Sequence, residues 1–381
     1  MSAVPEPWVF WDTASLRMRW RSLCDIMSTM SVNGQGKSRS TDKPARVAPG
    51  VYMLEVPFPP GWFPPDAPAG TLSYLVEQQD GWLLVDSGLN HQTCFDALCR
   101  QLAVLGMSLR DIRWLLVTHF HPDHYGLAGR IKSAANPKVI MHRKDWDMIQ
   151  FVAKEGETWS EDTFVEWATY LGVLPAEMDM YRQVVSFGRG LFPSDVVPDI
   201  LLEGDEQPVG DSGNLTAILT PGHTPGHVCV YDQRNKILFS GDHVLVGITT
   251  NITPSFLGGG DQLSDYLNAL RRVQRLDVNL VLPAHEQPFS HLDRRVDELL
   301  AHHDRRLEQV LDAVTRHPSS PREIASQVRW TVGVWDEMNG MDRLLAIQET
   351  LAHLHLLQGR GSIALEEKDG LSLYTRSSGA G

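Results

Sequence analysis

Cysteine is scarce in this chain. The four present, Cys24, Cys94, Cys99 and Cys229, form no CxxC pair among 381 residues. A disulfide framework is therefore not expected, and the thiols read as reduced or buried, as in a cytoplasmic protein. Long apolar runs are also missing, and none is long enough to span a bilayer. Positive charge is in deficit: 34 Lys and Arg face 47 Asp and Glu, giving a net charge of -13. Phosphate affinity comes largely from Lys and Arg, so nucleic acid is a disfavoured partner and a small molecule the expected one. There is no long internal repeat and no flavin-binding stretch, which leaves a redox role without its cofactor domain.

What is present is an ordinary globular composition, 42% hydrophobic and 21% charged, in a chain long enough for two domains. Residues 1–45 read as a flexible extension. Arg17, Arg19 and Arg21 lie beside Trp20, Leu23, Ile26 and Met27 in a short amphipathic stretch that lacks the apolar core and cleavage site of a secretory signal. Residues 33–45 have linker composition.

The informative stretch is Thr118-His119-Phe120-His121-Pro122-Asp123-His124. It follows Trp114-Leu115-Leu116-Val117, which reads as a buried strand. Core packing does not ask for three histidines and an aspartate within six positions. Imidazole and carboxylate crowded at a strand end suit zinc or a similar divalent ion. The pattern recurs at three more strand ends. Leu215–Leu219 runs into Pro221-Gly222-His223-Thr224-Pro225-Gly226-His227, Ile237–Phe239 into Ser240-Gly241-Asp242-His243, and Asn279–Leu282 into Pro283-Ala284-His285. Loops at the ends of strands in one rigid scaffold can converge on one site. Upstream, Val51–Val56, Leu72–Gln78 and Trp82–Val85 read as strands, the last two joined at Asp80-Gly81, and a helix is expected from His91 to Leu105. The turn Asp86-Ser87-Gly88 follows them, and its aspartate either caps a helix or orients a ligand.

These motifs together resemble the metallo-β-lactamase superfamily, over roughly residues 47–290. The resemblance implies an α/β fold, a four-layer αβ/βα sandwich of two mixed sheets with helices outside and a metal site at one edge. It implies two divalent ions, zinc first, with manganese or iron also compatible. His119, His121 and His223 would hold one ion; Asp123, His124 and His285 the other; Asp242 would bridge them. Asp123 and Asp242 are then the catalytic carboxylates, and Asp86, Thr118 and His227 the candidates for orienting ligands. Such ions supply hydroxide at neutral pH as nucleophile. Asp242 at the bridging position, and no clear secretory signal, set the chain apart from sequences resembling true zinc β-lactamases. They place it with glyoxalase II, thioesterases, lactonases and RNA-processing nucleases, though the basic glutathione-binding residues of glyoxalase II have no clear match.

The flanking regions carry less. The Pro-rich aromatic loop at 57–65 either packs on its own domain or borders a substrate pocket. Residues 143–200 read as a helical insertion: Thr158-x-x-Glu161 resembles a capping box, and Phe164, Trp167, Leu171, Met178 and Tyr181 recur at helical spacing. It is either a lid or a layer on the sheet. His142, His302, His303, His353 and His355 read as structural or exposed. Residues 291–381 read as helices followed by a hairpin, resembling the winged-helix domain that follows the catalytic domain in some related hydrolases. With eleven Lys or Arg against fourteen Asp or Glu, that unit reads as a packing or dimerisation element, and a homodimer is one expectation. Two functions follow: a hydrolase of a small ester, thioester or lactone, or a metal-dependent endoribonuclease that grips RNA with the winged helix.

Overall fold

The computed structural model describes residues 43–60, 62, 68–158, 161–183, 196–208, 214–254 and 260–377. The expectations for residues 1–42, for residues 61 and 63–65 of the Pro-rich loop and for 184–195 lie outside the described residues. Cys94, Cys99 and Cys229 are unpaired, and no described helix is long and apolar enough to cross a membrane.

Two sheets face each other. The first has seven strands in sequence order: β1 (Ala45–Ala48), β2 (Val51–Pro57), β3 (Gly70–Gln78), β4 (Gly81–Val85), β5 (Ile112–Leu116), β6 (Lys138–His142) and β7 (Ile200–Leu202). Pairing is antiparallel up to β4 and parallel from β4 to β7. The second contains β8 (Leu215–Leu219), β9 (Val228–Asp232), β10 (Ile237–Gly241) and β11 (Leu280–Pro283), in the order β11-β10-β9-β8.

Three apolar clusters define four layers. Between the sheets, Leu72, Tyr74, Leu83 and Leu116 meet Ala217, Val230, Phe239 and Leu282. Behind the first sheet, Leu75, Leu84 and Val139 pack on α1 (Gln92–Val104), on α3 (Ala128–Ala135), which follows the short α2 (Pro122–Tyr125), and on α4 (Arg143–Thr158). Behind the second sheet, Cys229, Leu238 and Val281 pack on helices α5 (Glu161–Leu171), α6 (Gln262–Val273), α7 (Leu292–Ala313), α8 (Pro321–Gln327) and α9 (Gly340–Gly359). Strands β12 (Ile363–Lys368) and β13 (Leu371–Arg376) form a terminal hairpin.

The helices follow local rules where those rules are visible. Ser320 opens α8 with a reciprocal capping box to Glu323, and Asp261 caps α6 through Ser264 N–H. The spacing of Leu263, Tyr266, Leu267, Leu270 and Val273 gives α6 one buried face. Thr158 ends α4 rather than opening the next helix. In the insertion, Phe164, Ala168, Leu171 and Tyr181 are buried in one cluster with Leu307, Ile324, Ile347 and Leu354. Each buried Leu, Ile or Phe among them contributes about 1.5–3 kcal/mol by burial. From α5 to Tyr181 the insertion is thus a packed layer that joins the C-terminal helices, while α4 packs behind the first sheet.

One polar contact stitches that seam. Arg322 at the start of α8 donates from Nε and Nη2 to the two oxygens of Glu177, at 2.6 and 2.8 Å. Burial alone would raise the Glu177 carboxyl. Arg322, the Leu174 N–H and Arg343 outweigh it and hold the carboxyl below its usual range. Such a group stabilises the fold above its unfolded pKa and loses that contribution as pH falls through the folded one. Glu177→Ala leaves Arg322 without its carboxylate in a mostly covered seam, so a loss of about 3 kcal/mol is expected in urea titration at pH 7. The difference from wild type should shrink toward pH 3; a pH-independent difference would contradict the ion pair as its source.

Candidate metal centre

Strand ends bring the polar residues together at one edge of the sandwich. β4 delivers Asp86, β5 delivers Thr118 and His119, and β8, β10 and β11 deliver the His223 loop, Asp242 and His285. The two sheets are tied at this edge by backbone bonds, Val228 N–H to Thr118 O (2.9 Å) and Leu72 N–H to Ala284 O (2.7 Å). The ligand-bearing loops therefore sit on one rigid frame.

Asp86 is the first anchor. Its backbone has a φ of 58°, an uncommon conformation for a residue with a side chain. Its carboxylate accepts from Thr118 N–H, Thr118 Oγ–H and His124 Nδ1–H, each at 2.8 Å. The Thr118 hydroxyl, having donated to Asp86, accepts from His119 Nδ1–H at 3.1 Å. His223 Nδ1–H donates to Asn251 O at 2.8 Å and His285 Nδ1–H to Gly70 O at 3.0 Å. A carbonyl only accepts, so these contacts fix the proton on Nδ1. Four rings thus turn Nε2 inward, the orientation a metal ligand needs. His121 faces the same point with Nδ1.

The inward atoms form two groups. His121 Nδ1 lies 3.0 Å from both His119 Nε2 and His223 Nε2. Asp123 Oδ2 lies 3.4 Å from His124 Nε2 and 3.2 Å from His285 Nε2. Asp242 stands between them. Its Oδ2 is 3.9 Å from His119 Nε2 and 3.6 Å from His223 Nε2, while Oδ1 is 3.6 Å from His124 Nε2 and 3.4 Å from His285 Nε2. Ligands about 2.0–2.1 Å from one tetrahedral ion stand roughly 3.4 Å apart, so these spacings fit an ion in each group. His124 Nε2 and Asp242 Oδ1 are buried with no hydrogen-bond partner, which would cost about 1–3 kcal/mol each without a cation to meet them. All seven residues that the sequence singled out as ligands converge here; each of the two groups, and a third set of His119, His124 and Asp242 between them, could hold a metal ion.

The two halves differ in charge. Burial, reinforced by neighbouring histidines, presses His119 well below the ordinary value and His121 down to about 3. In the other half burial is overruled. Asp242 and Asp123 push His285 up to about 10, and Asp123, Asp242 and Asp86 raise His124. The aspartates answer in kind: despite burial, the histidines hold Asp123 and Asp242 well below the carboxylate range. Without an ion, the second half favours protonated histidines beside ionised carboxylates.

His227 supports the bridging position from behind. Its Nε2 accepts from Asp242 N–H at 3.2 Å, and Nδ1 meets Thr220 Oγ at 2.8 Å. Gly241 has a φ of 50°, and a Cβ there would lie 2.7 Å from His227 Nε2, so only glycine fits before Asp242. Sequence reading passed over two residues. Glu286 accepts from Gly247 N–H (2.8 Å) and Ile248 N–H (3.3 Å), tethering the loop whose Asn251 carbonyl orients His223. Asp145, on α4, is wholly buried between the His119 and His223 loops. His142, His303 and His353 are buried away from the centre, His303 and His353 stacked on each other.

The chain is similar to several known proteins. The family model described as the metallo-beta-lactamase superfamily matches residues 67–285. The protein YqjP of Bacillus subtilis, which carries a metallo-hydrolase name, is 24% identical over 305 residues, 78% of this chain and 91% of that protein. A crystal structure described as a beta-lactamase domain protein from Burkholderia ambifaria is 27% identical, with a TM-score of 0.74 over 93% of this chain and 100% of its own. The atrochrysone carboxyl ACP thioesterase of Aspergillus fumigatus is 29% identical over 104 residues, 27% of this chain and 30% of that protein.

The charge division has a measurable consequence. A divalent ion ligated by His285 and His124 must displace the protons that the carboxylates keep on them, because only a neutral imidazole ligates. Adding zinc to metal-free protein at pH 8 in weak buffer should acidify the solution, with His285 alone giving up close to one proton per chain. Uptake of zinc with no proton release would contradict the assigned charges.

Proposed function

The chain belongs to the metallo-β-lactamase superfamily and is a metal-dependent hydrolase, and from that premise we propose that it cleaves a small, largely apolar ester, thioester or lactone at a two-ion centre. The observation that carries this reading is Asp242, whose two carboxylate oxygens face different histidine groups. His119, His121 and His223 would hold one ion, Asp123, His124 and His285 the second, and Asp242 both. When bound, the ions supply Lewis acidity toward the scissile carbonyl and a hydroxide nucleophile at neutral pH.

The remaining work belongs to this chain's side chains. Asp123 stays a carboxylate, 3.4 Å from Thr71 Oγ, and is positioned to receive a proton from attacking water. Asp86 and Thr118 hold the ring planes of His119 and His124, so these rings need no reorganisation during turnover. Phe58, on the Pro-rich loop, lies 6.1 Å ring to ring from His285, giving the approach to the centre an apolar wall. A carbonyl substrate with a hydrophobic acyl group suits that wall, and the thioesterase relative supports the same class. The unpaired thiols fit a reducing, cytoplasmic setting.

The C-terminal helices and hairpin are read as a winged-helix-like unit used for packing or for pairing with a second copy. Its acidic balance and the overall charge of -13 argue against an RNA grip.

The test is a panel of acyl thioesters, aryl esters, lactones and short RNA, assayed with the ion-loaded protein and with Asp242→Ala. Acyl substrates should turn over, and the variant should lose about 10³-fold or more in kcat/KM while remaining folded. Cleavage of RNA alone, falling steeply with salt, would overturn the acyl-hydrolase reading.

A further inference from the structure

The first ligand group stands on two separate loops. His119 and His121 flank Phe120, and His223 precedes Thr224, Pro225 and Gly226. Asp145 lies between these loops, wholly buried, on the first turn of α4. Its Oδ2 accepts from Phe120 N–H at 2.9 Å and from Thr224 Oγ–H at 2.8 Å. Its Oδ1 accepts from Gly226 N–H at 2.6 Å. One carboxylate therefore binds the loop carrying two imidazoles to the loop carrying the third.

The fit leaves no slack. A Cβ on Gly226 would stand 2.7 Å from Asp145 Oδ1, so the loop reaches the carboxylate only because residue 226 has no side chain. Burial pushes the Asp145 carboxyl up to about 7, against the pull of Thr224, Gly226 and Phe120. A buried acid with only the neighbouring Lys144 as a cation is expensive for folding alone. An apolar residue would otherwise suit this face of α4, where Met148 and Ile149 are buried in the core.

We propose that Asp145 is the positioning residue of the first ion: it sets the separation of His119 and His121 from His223, and with it the affinity of that ion alone. The inference rests on the two-ion reading above. Asp145 touches neither ion nor substrate; it acts through the backbone of Phe120 and Gly226 and the Thr224 hydroxyl. Asp123 and His124 follow Phe120 on the same stretch, but His124 is held separately by Asp86 and Ser87 and His285 stands on another strand end, so the second ion should be far less sensitive to it.

Asp145→Asn keeps shape and burial but turns one acceptor into an NH₂ that faces a donor. Thr224→Val removes a single hydrogen bond and is gentler on folding. Cobalt(II) is titrated into metal-free wild type, both single variants and the double variant. Visible ligand-field bands report each ion's coordination, and thermal unfolding is followed in parallel. Wild type should take up two ions. Asp145→Asn should bind one of them about 10–100-fold more weakly, with altered bands for that ion only. Thr224→Val should weaken the same ion to a lesser degree, and the double variant should be no weaker than Asp145→Asn, because both act through one carboxylate.

Two ions bound by both variants with wild-type affinity and bands would overturn the clamp and leave the two-ion centre intact. Equal weakening of both ions in Thr224→Val would also overturn it. A wild-type chain that takes up no cobalt would instead overturn the two-ion reading, and the clamp with it.

Discussion

Two carboxylates and five imidazoles share one buried volume, and their mutual charge is the constraint on which the rest of the molecule depends. Asp242 is central to it, with one oxygen toward His119 and His223 and the other toward His124 and His285. Packing such groups together without counter-charge is unfavourable, because each loses its hydration on burial. The centre divides the problem unequally. One half relaxes by keeping its histidines neutral, and the other by pairing protonated histidines with carboxylates. A divalent cation in each half would resolve both situations, replacing protons in one and meeting bare lone pairs in the other.

That arrangement holds only if the donors cannot drift apart, and much of the fold near this edge serves to stop them. Asp86 ties β4 to the His119 stretch and to His124, His227 supports Asp242, and Asp145 joins the two loops of the first group. Glu286 and the carbonyls of Asn251 and Gly70 fix the outer ring nitrogens or the loops that bear them. These contacts are concentrated at one end of the sandwich. Behind the second sheet the packing is apolar and extends into the C-terminal helices through Phe164, Tyr181 and Ile347. The chain thus separates a polar, tightly constrained edge from an apolar body that supplies stability.

The residues that converge at this edge were legible in the sequence because histidine and aspartate crowded beside strand ends answer no demand of core packing. His119, His121, Asp123, His124, His223, Asp242 and His285 could each be named, and Asp86 was flagged by its strand-end turn. Asp145 could not be named, since two of its three partners are backbone amides and Gly226 is 81 residues away. A buried carboxylate on the inward face of α4 also interrupts the apolar spacing that marks a helix, so the insertion was read as helical without the bounds of this helix. Helix α6 has that spacing but went unread between stronger motifs. For the insertion, periodicity identified the buried positions and left open what they would pack against. The partners proved to be helices more than a hundred residues later, a long-range fact that no local pattern carries.

The most direct measurement is anomalous diffraction, at the metal's absorption edge, from a crystal of the loaded protein. Two peaks are expected on opposite sides of the Asp242 carboxylate, about 3.5–4 Å apart. One should be enclosed by His119, His121 and His223, the other by Asp123, His124 and His285. A single peak, or peaks away from these side chains, would contradict a two-ion centre bridged by Asp242.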